Sequence, residues 1–235
     1  MNNSAASSLL KGKLVLDIEP IAMACQDAAP VNVPVYSGSK PSACSFWREA
    51  EGNLFFAPAA SHFNCPIGAM VLGFDLPPAV SIELMALVDK ITKCGYIAVG
   101  EPGAIPTHPR KGAKGVLYGP LAKFPTTPDA VLLWLLPAQA MVVSEAVGGA
   151  IWGSNATVLG RPACAAIPQA VNSSQATLSL GCAGMRTYTA IAPDRLLTVV
   201  PGHSIAQFTS DVVRLSTINE DMASFYKERA AALST

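Results

Sequence analysis

The chain has 235 residues, of which 14% are charged and 51% are hydrophobic, and its 16 basic and 16 acidic residues give a formal net charge of zero. A chain of this length buries one large core and predicts a single domain. The only basic cluster, at 110–114, is short, which argues against a nucleic-acid partner because phosphate contacts need clustered Lys and Arg. So little charge on so apolar a chain predicts a homo-oligomer or a large apolar pocket.

The N-terminus lacks the pattern of a secretory signal, because residues 1–8 are small and polar and the apolar run after Lys13 is soon interrupted. The most apolar stretch, 130–151, contains Pro137 and Glu145, so it predicts a buried strand and a helix rather than a membrane span. We therefore expect a cytoplasmic protein. In a reducing cytoplasm the six cysteines are expected to be thiols, metal ligands or redox groups rather than disulfides.

Proline and glycine divide the first half of the chain into short segments. The predicted elements are a strand at 14–18, a helix at 44–52, a strand at 53–56, a helix starting at Cys65 and an amphipathic helix at 81–94. Asn64 suits an N-cap and Pro66 suits a first helical turn. These two residues place the Cys65 thiol at a helix N-terminus, where unpaired N–H groups favour an anion.

Strands and helices alternate in the second half. The predicted elements are strands at 116–121 and 130–136, a helix at 138–147, a helix start at 162–171, strands at 176–180 and 195–200, and a helix at 204–232. This alternation predicts an α/β fold, with a mixed or mostly parallel sheet flanked by helices. We predict a polar N-terminal lead at 1–13, one α/β domain at 14–208 and a helical C-terminal tail at 209–235.

Four of the six cysteines lie in short segments that contain glycine or proline: Cys44, Cys65, Cys164 and Cys182. A cysteine that only fills space behaves as a small apolar residue, whereas a thiolate used in chemistry needs N–H groups, a helix start or a cation to lower its pKa. We therefore interpret these four cysteines as functional. Burial as inert thiols is the competing interpretation, and it is the better one for Cys25 and Cys94.

The segments around these cysteines occur in a distinctive order, which is Cys44-Ser-Phe-Trp-Arg48, Asn64-Cys-Pro-Ile-Gly68, 128–145, 160–168 and Gly181-Cys-Ala-Gly-Met-Arg186. Together they resemble the prokaryotic family called domain of unknown function 169, also labelled ArCR. The resemblance covers about 14–208 and implies a cytoplasmic single-domain protein. It implies no particular reaction.

The four cysteines are too far apart in the chain to form the CxxC pair of a zinc ribbon or a ferredoxin. A shared site requires the fold to bring four loops together, as happens at one end of an α/β sheet. Four thiolates around one pocket suit an iron–sulfur cluster or zinc, with Gly68, Gly181 and Gly184 letting N–H groups approach the sulfurs. The leading hypothesis is redox or small-molecule chemistry at such a site, served by a small-molecule ligand or a redox partner.

Two other functions remain open. Cys65 is a candidate nucleophile with His62 nearby, and Arg186 is then a candidate anchor for a small anionic substrate. The chain has three histidines, which leaves few candidate bases. Alternatively, aromatic residues such as Trp47 line a pocket for an apolar or tetrapyrrole-like ligand, without catalysis. Structural roles compete for each residue, since His62 and Arg186 can bind backbone carbonyls and Trp47 can lie in the core.

Overall fold

The computed structural model describes residues 1–148 and 156–233, and a seven-stranded sheet runs through them. The strands are β1 (Ile21–Gln26), β2 (Phe55–Pro58), β3 (Gly115–Pro120), β4 (Ala130–Leu135), β5 (Ala156–Leu159), β6 (Ala176–Ser179) and β7 (Leu196–Pro201). Their order across the sheet is β2-β3-β1-β4-β7-β6-β5. Among these strands, only β5 and β6 pair in parallel, and the other neighbours are antiparallel.

The prediction of an α/β fold with a mixed sheet is confirmed, but the alternative of a mostly parallel sheet is wrong. All six residues of β4 are buried, and such a uniformly apolar strand is typical of a parallel sheet with both faces covered. Here β4 is antiparallel to both of its neighbours, β1 and β7, and is nevertheless covered on both faces. The apolar run thus indicates that both faces of the strand are buried. It does not indicate whether the neighbouring strands are parallel or antiparallel.

Helices cover both faces of the sheet. They are α1 (Asn3–Leu14), α2 (Ser45–Ala50), α3 (Pro66–Val71), α4 (Pro78–Lys93), α5 (Pro137–Val147), α6 (Ala166–Ser173), α7 (Ala183–Thr189) and α8 (Ile205–Leu233). Alternate residues of β4 enter two separate cores, with Leu132 and Trp134 in the first and Val131 and Leu133 in the second. The first core contains residues of α2, α3, α6 and α7, and the second contains residues of α1, α5 and α8.

The N-terminal segment folds differently from the sequence-based expectation. The strand predicted at 14–18 is wrong, because α1 continues to Leu14 and the first strand begins at Ile21. The side-chain oxygen of Asn2 accepts a hydrogen bond from the N–H of Ala5 at 2.9 Å and so caps α1. Leu10 and Leu14 then enter the second core. The polar lead is therefore a packed helix.

The long helices agree better with the sequence pattern. The amphipathic helix predicted at 81–94 is α4, and none of its residues is buried. The helical tail predicted from Ser204 is α8. None of the helices in the described ranges is both long enough and apolar enough to cross a membrane.

Gly202 lies in the turn after β7, and this turn packs closely on the segment that leads into β4. A Cβ added at Gly202 would lie 1.7 Å from the backbone oxygen of Pro128, whereas one added at Gly12 in α1 would meet nothing within 4 Å. We expect Gly202→Ala to lower the free energy of unfolding by about 3 kcal/mol or more, because backbone cannot move aside as a flexible side chain can. Gly12→Ala should instead raise it by about 0.5–1 kcal/mol. Urea unfolding of both variants measures this, and equal stabilities would contradict the packing described.

Candidate functional site

An apolar cavity of about 660 Å³ lies beside the first core, and four cysteines contribute to its lining: Cys44, Cys65, Cys164 and Cys182. Each thiol belongs to the start of a helix. Cys44 and Cys65 directly precede α2 and α3, Cys182 precedes α7, and Cys164 lies in the 3₁₀ turn that leads into α6. The fold therefore brings together the four cysteines that the sequence pattern groups.

Local contacts fix three of these thiols. The Ser42 hydroxyl lies 2.7 Å from the Cys44 Sγ, and the Cys182 Sγ accepts a hydrogen bond from the N–H of Met185 at 3.4 Å. A Cβ at Gly68 would lie 2.5 Å from the Cβ of Ala43 and 3.0 Å from the Cys65 Sγ. Gly68 thus lets α3 approach the loop before Cys44, and this close approach depends on the absence of a side chain.

Gly181 and Gly184 both lie close to Cys182. Gly181 has a φ of +89°, in the region that glycine adopts most readily, and this conformation turns the chain from β6 toward α7. Gly184 lies in the first turn of α7 and lines the cavity. Gly181 thus shapes the Cys182 segment, and Gly184 contributes to the cavity wall.

The cavity thiols influence one another. Burial raises the pKa of Cys44 to about 12, although the Ser42 contact opposes the shift, and the neighbouring Cys65 and Cys182 raise it further. Burial raises the pKa of Cys164 well above its usual value, with added contributions from Cys65, Cys44 and Cys182. Cys44 and Cys164 are therefore neutral thiols at pH 7 unless a metal ion replaces their protons.

The opposite wall of the cavity is α4 and the segment after it. Leu84, Leu87, Val88 and Ile91 of α4 face the cavity, as does Tyr96. At the rim, Arg161 pairs with Glu101 at 3.2 Å and stacks over the Tyr96 ring at 5.0 Å from its centroid. Arg161 belongs to the 160–168 segment, but its pairing with Glu101 could not be predicted from sequence because the two residues are distant in the chain.

Five residues named in the sequence analysis lie outside the cavity lining: Gly68 and Gly181, described above, and Trp47, Arg186 and His62. Trp47 is buried in the first core, where its ring is 6.1 Å from that of Trp134. Arg186 donates hydrogen bonds to four backbone carbonyls, including that of Leu180 at 2.6 Å. His62 is held by the carbonyl of Pro58 at 3.0 Å and the Tyr118 hydroxyl at 3.2 Å. Trp47, Arg186 and His62 have structural contacts that account for their positions.

A group of side chains of the types that can ligate a metal ion lies outside this cavity. Among the described residues, Cys25, His108 and Asp129 are the one group of three such side chains whose ligand atoms all lie within 4.8 Å of one another. No three of the cavity thiols are gathered that tightly. This group could not be predicted from sequence, where Cys25 is better interpreted as structural, because its members are far apart in the chain and show no metal-site spacing.

The fold and the cavity together define an α/β protein in which two buried and two half-buried cysteines line one apolar pocket. The family model described as uncharacterised ArCR, domain of unknown function 169, matches residues 9–210. The chain therefore belongs to this family, and the resemblance seen in the sequence is confirmed. No curated protein and no solved structure matches the chain.

The surroundings of His62 predict a pH dependence. Burial lowers the pKa of His62 to about 4, so the folded protein resists its protonation while the unfolded chain accepts a proton near the usual value of about 6.5. Its contribution to stability is complete above pH 6.5 and declines as the pH falls toward 4, by about 3 kcal/mol at most. Urea unfolding at pH 7, 5.5 and 4 measures the decline, and His62→Gln should reduce it. An unchanged pH slope in that variant would contradict the assignment.

Proposed function

We propose that Cys44, Cys65, Cys164 and Cys182 hold an iron–sulfur cluster, and that the apolar remainder of the cavity takes a small-molecule ligand beside it. The observation that carries this proposal is the convergence of the four thiols on one cavity. They come from four separate helix starts in a chain whose other two cysteines do not line it. Thiolates are the usual protein ligands of such clusters.

The spacing of the thiols disfavours a single zinc ion. Two ligands of a tetrahedral zinc ion lie roughly 3.5 Å apart, given metal–ligand bonds of about 2.0–2.3 Å. The four thiols are not drawn together to that extent in the described structure. The inorganic core of a cluster holds its thiolates farther apart, so it bridges a looser arrangement.

The charges around the cavity affect the reduction potential of the proposed cluster. Arg161 is the only cation among the described lining residues, and it is paired with Glu101. Four thiolates would therefore sit in an apolar setting without a free positive side chain, which disfavours addition of a further electron. We infer a low reduction potential. A redox partner and a homo-oligomer remain predictions from the sequence.

The size of the cavity supports a ligand in addition to the cluster. Its lining is mainly apolar, formed by α4 on one side and the thiol-bearing helix starts on the other. Ligand sites in proteins are apolar cavities of a few hundred Å³ with few polar groups. A nucleophilic role for Cys65 has less support, because both ring nitrogens of His62 are engaged by Pro58 and Tyr118.

Anaerobic purification tests the cluster. The protein should be brown, with broad absorbance near roughly 400 nm, and should contain iron and acid-labile sulfide. Substitution of each cavity cysteine by serine should reduce the iron content at least several-fold, because a cluster ligated by three residues is less tightly held. Cys94→Ser is the matched control, since Cys94 is exposed and outside the cavity lining, and it should keep its iron. Iron-free wild-type protein would contradict the proposal, as would iron loss confined to one variant.

A pair of substitutions on α4 tests the ligand pocket. Val88 lines the cavity, whereas Ile82 on the same helix is 63% exposed and does not. Val88→Glu should lower the affinity for an apolar fluorescent dye at least tenfold, because it places a charge in an apolar site. Ile82→Glu should leave the affinity unchanged. Dye titration, with iron content measured in parallel, checks both expectations, and equal affinities in the two variants would contradict a ligand site under α4.

A further inference from the structure

Cys25, His108 and Asp129 meet at the edge of the first core, away from the residues that line the cavity. Cys25 lies in β1, Asp129 directly precedes β4, and His108 lies in the loop that leads to β3. The Asp129 Oδ2 accepts a hydrogen bond from the N–H of Cys25 at 2.7 Å and lies 3.4 Å from the His108 Nε2. A thiol, an imidazole and a carboxylate therefore converge on one point.

The His108 ring carries an unsatisfied polar atom. His108 is 2% exposed, and among the described residues its Nε2 has no hydrogen-bond partner, since the contact with Asp129 lacks hydrogen-bond geometry. Buried polar atoms of folded proteins are nearly always paired, and an exception calls for a bound water or ion. This nitrogen faces the Asp129 carboxylate, at the place where the Cys25 thiol also lies.

We propose that Cys25, His108 and Asp129 bind a divalent metal ion, with Zn²⁺ the best match to one sulfur, one nitrogen and one oxygen ligand. The site is separate from the proposed cluster, because none of the three residues lines the cavity. Zinc ligands lie roughly 3.5 Å apart, so the group needs to contract only slightly from its present separations. The Asp129 side chain is 33% exposed, which leaves a path for the ion and room for a water as the fourth ligand.

Metal binding at this site requires a change of tautomer at His108 and the loss of the Cys25 thiol proton. The N–H of Arg110 donates to the His108 Nδ1 at 3.3 Å, so the neutral ring carries its proton on Nε2. The ion takes the place of this proton, which moves to Nδ1 as the long Arg110 contact breaks. The Cys25 thiol releases its own proton to solvent, so one proton leaves the protein for each ion that binds.

The experiment loads the full chain with Zn²⁺ after removal of metals by a chelator. We expect one tightly bound zinc per chain in a site of mixed ligands, and X-ray absorption should show one sulfur together with nitrogen or oxygen neighbours. His108→Gln and Cys25→Ser should each lower zinc affinity at least tenfold. His203→Gln is the matched control, because His203 is exposed, and it should bind zinc as the wild type does.

Two results would overturn the proposal: absence of zinc uptake by the folded wild type, or a zinc shell made of sulfur alone, which would place the ion among the cavity thiols. Zinc retained by folded His108→Gln would do the same. The wild-type measurements keep the test decisive if a variant fails to fold. Iron content separates this site from the proposed cluster, since His108→Gln should keep its iron and the cavity variants should keep their zinc.

Discussion

The covering of the sheet on both faces is the constraint from which the rest of the structure follows. β1 and β4 are central strands, and their alternate side chains must be buried on opposite sides. One side is closed by α1, α5 and α8, which pack as ordinary amphipathic helices. The other side is closed by short helices, and it is the starts of these helices that carry the cavity thiols.

Short helices make this second side suitable for a site. A helix of six to eight residues contributes little stability of its own, so α2, α3, α6 and α7 depend on tertiary packing for their positions. The cysteine at or just before the start of each of these helices lines the same cavity. The thiols are thus presented by segments that the core holds in place, and burial raises the pKa of Cys44 and Cys164, which favours their neutral form.

Much of this arrangement could be predicted from local sequence. Proline indicated helix starts at Cys65 and Cys164, whereas the helix after Cys182 was not predicted, and the structure places all four thiols at helix starts and on one cavity. The direction of the strands could not be predicted, because a strand buried on both faces is apolar whichever way its neighbours run. The strand predicted at 14–18 failed because the apolar residues there end a helix whose partners, in the second core, are remote in sequence.

The group formed by Cys25, His108 and Asp129 likewise could not be predicted from local sequence. A metal motif can be recognised when its ligands share one turn or one helix, so that backbone geometry sets their separation. Here each of the three residues comes from a different strand end or loop, and the antiparallel pairing of β1 with β3 and β4 brings them together. Arg186 is the opposite case. It lies in a recognisable motif, but its guanidinium donates hydrogen bonds to four backbone carbonyls.

The weak burial of α4 has a dynamic consequence. No residue of this 16-residue helix is buried, and its apolar side is turned toward the cavity rather than toward a packed core. Regions with few buried contacts open at a lower free energy than the global unfolding of the molecule. We therefore expect α4 to open locally while the sheet stays folded, and a molecule bound in the cavity beneath it to oppose that opening.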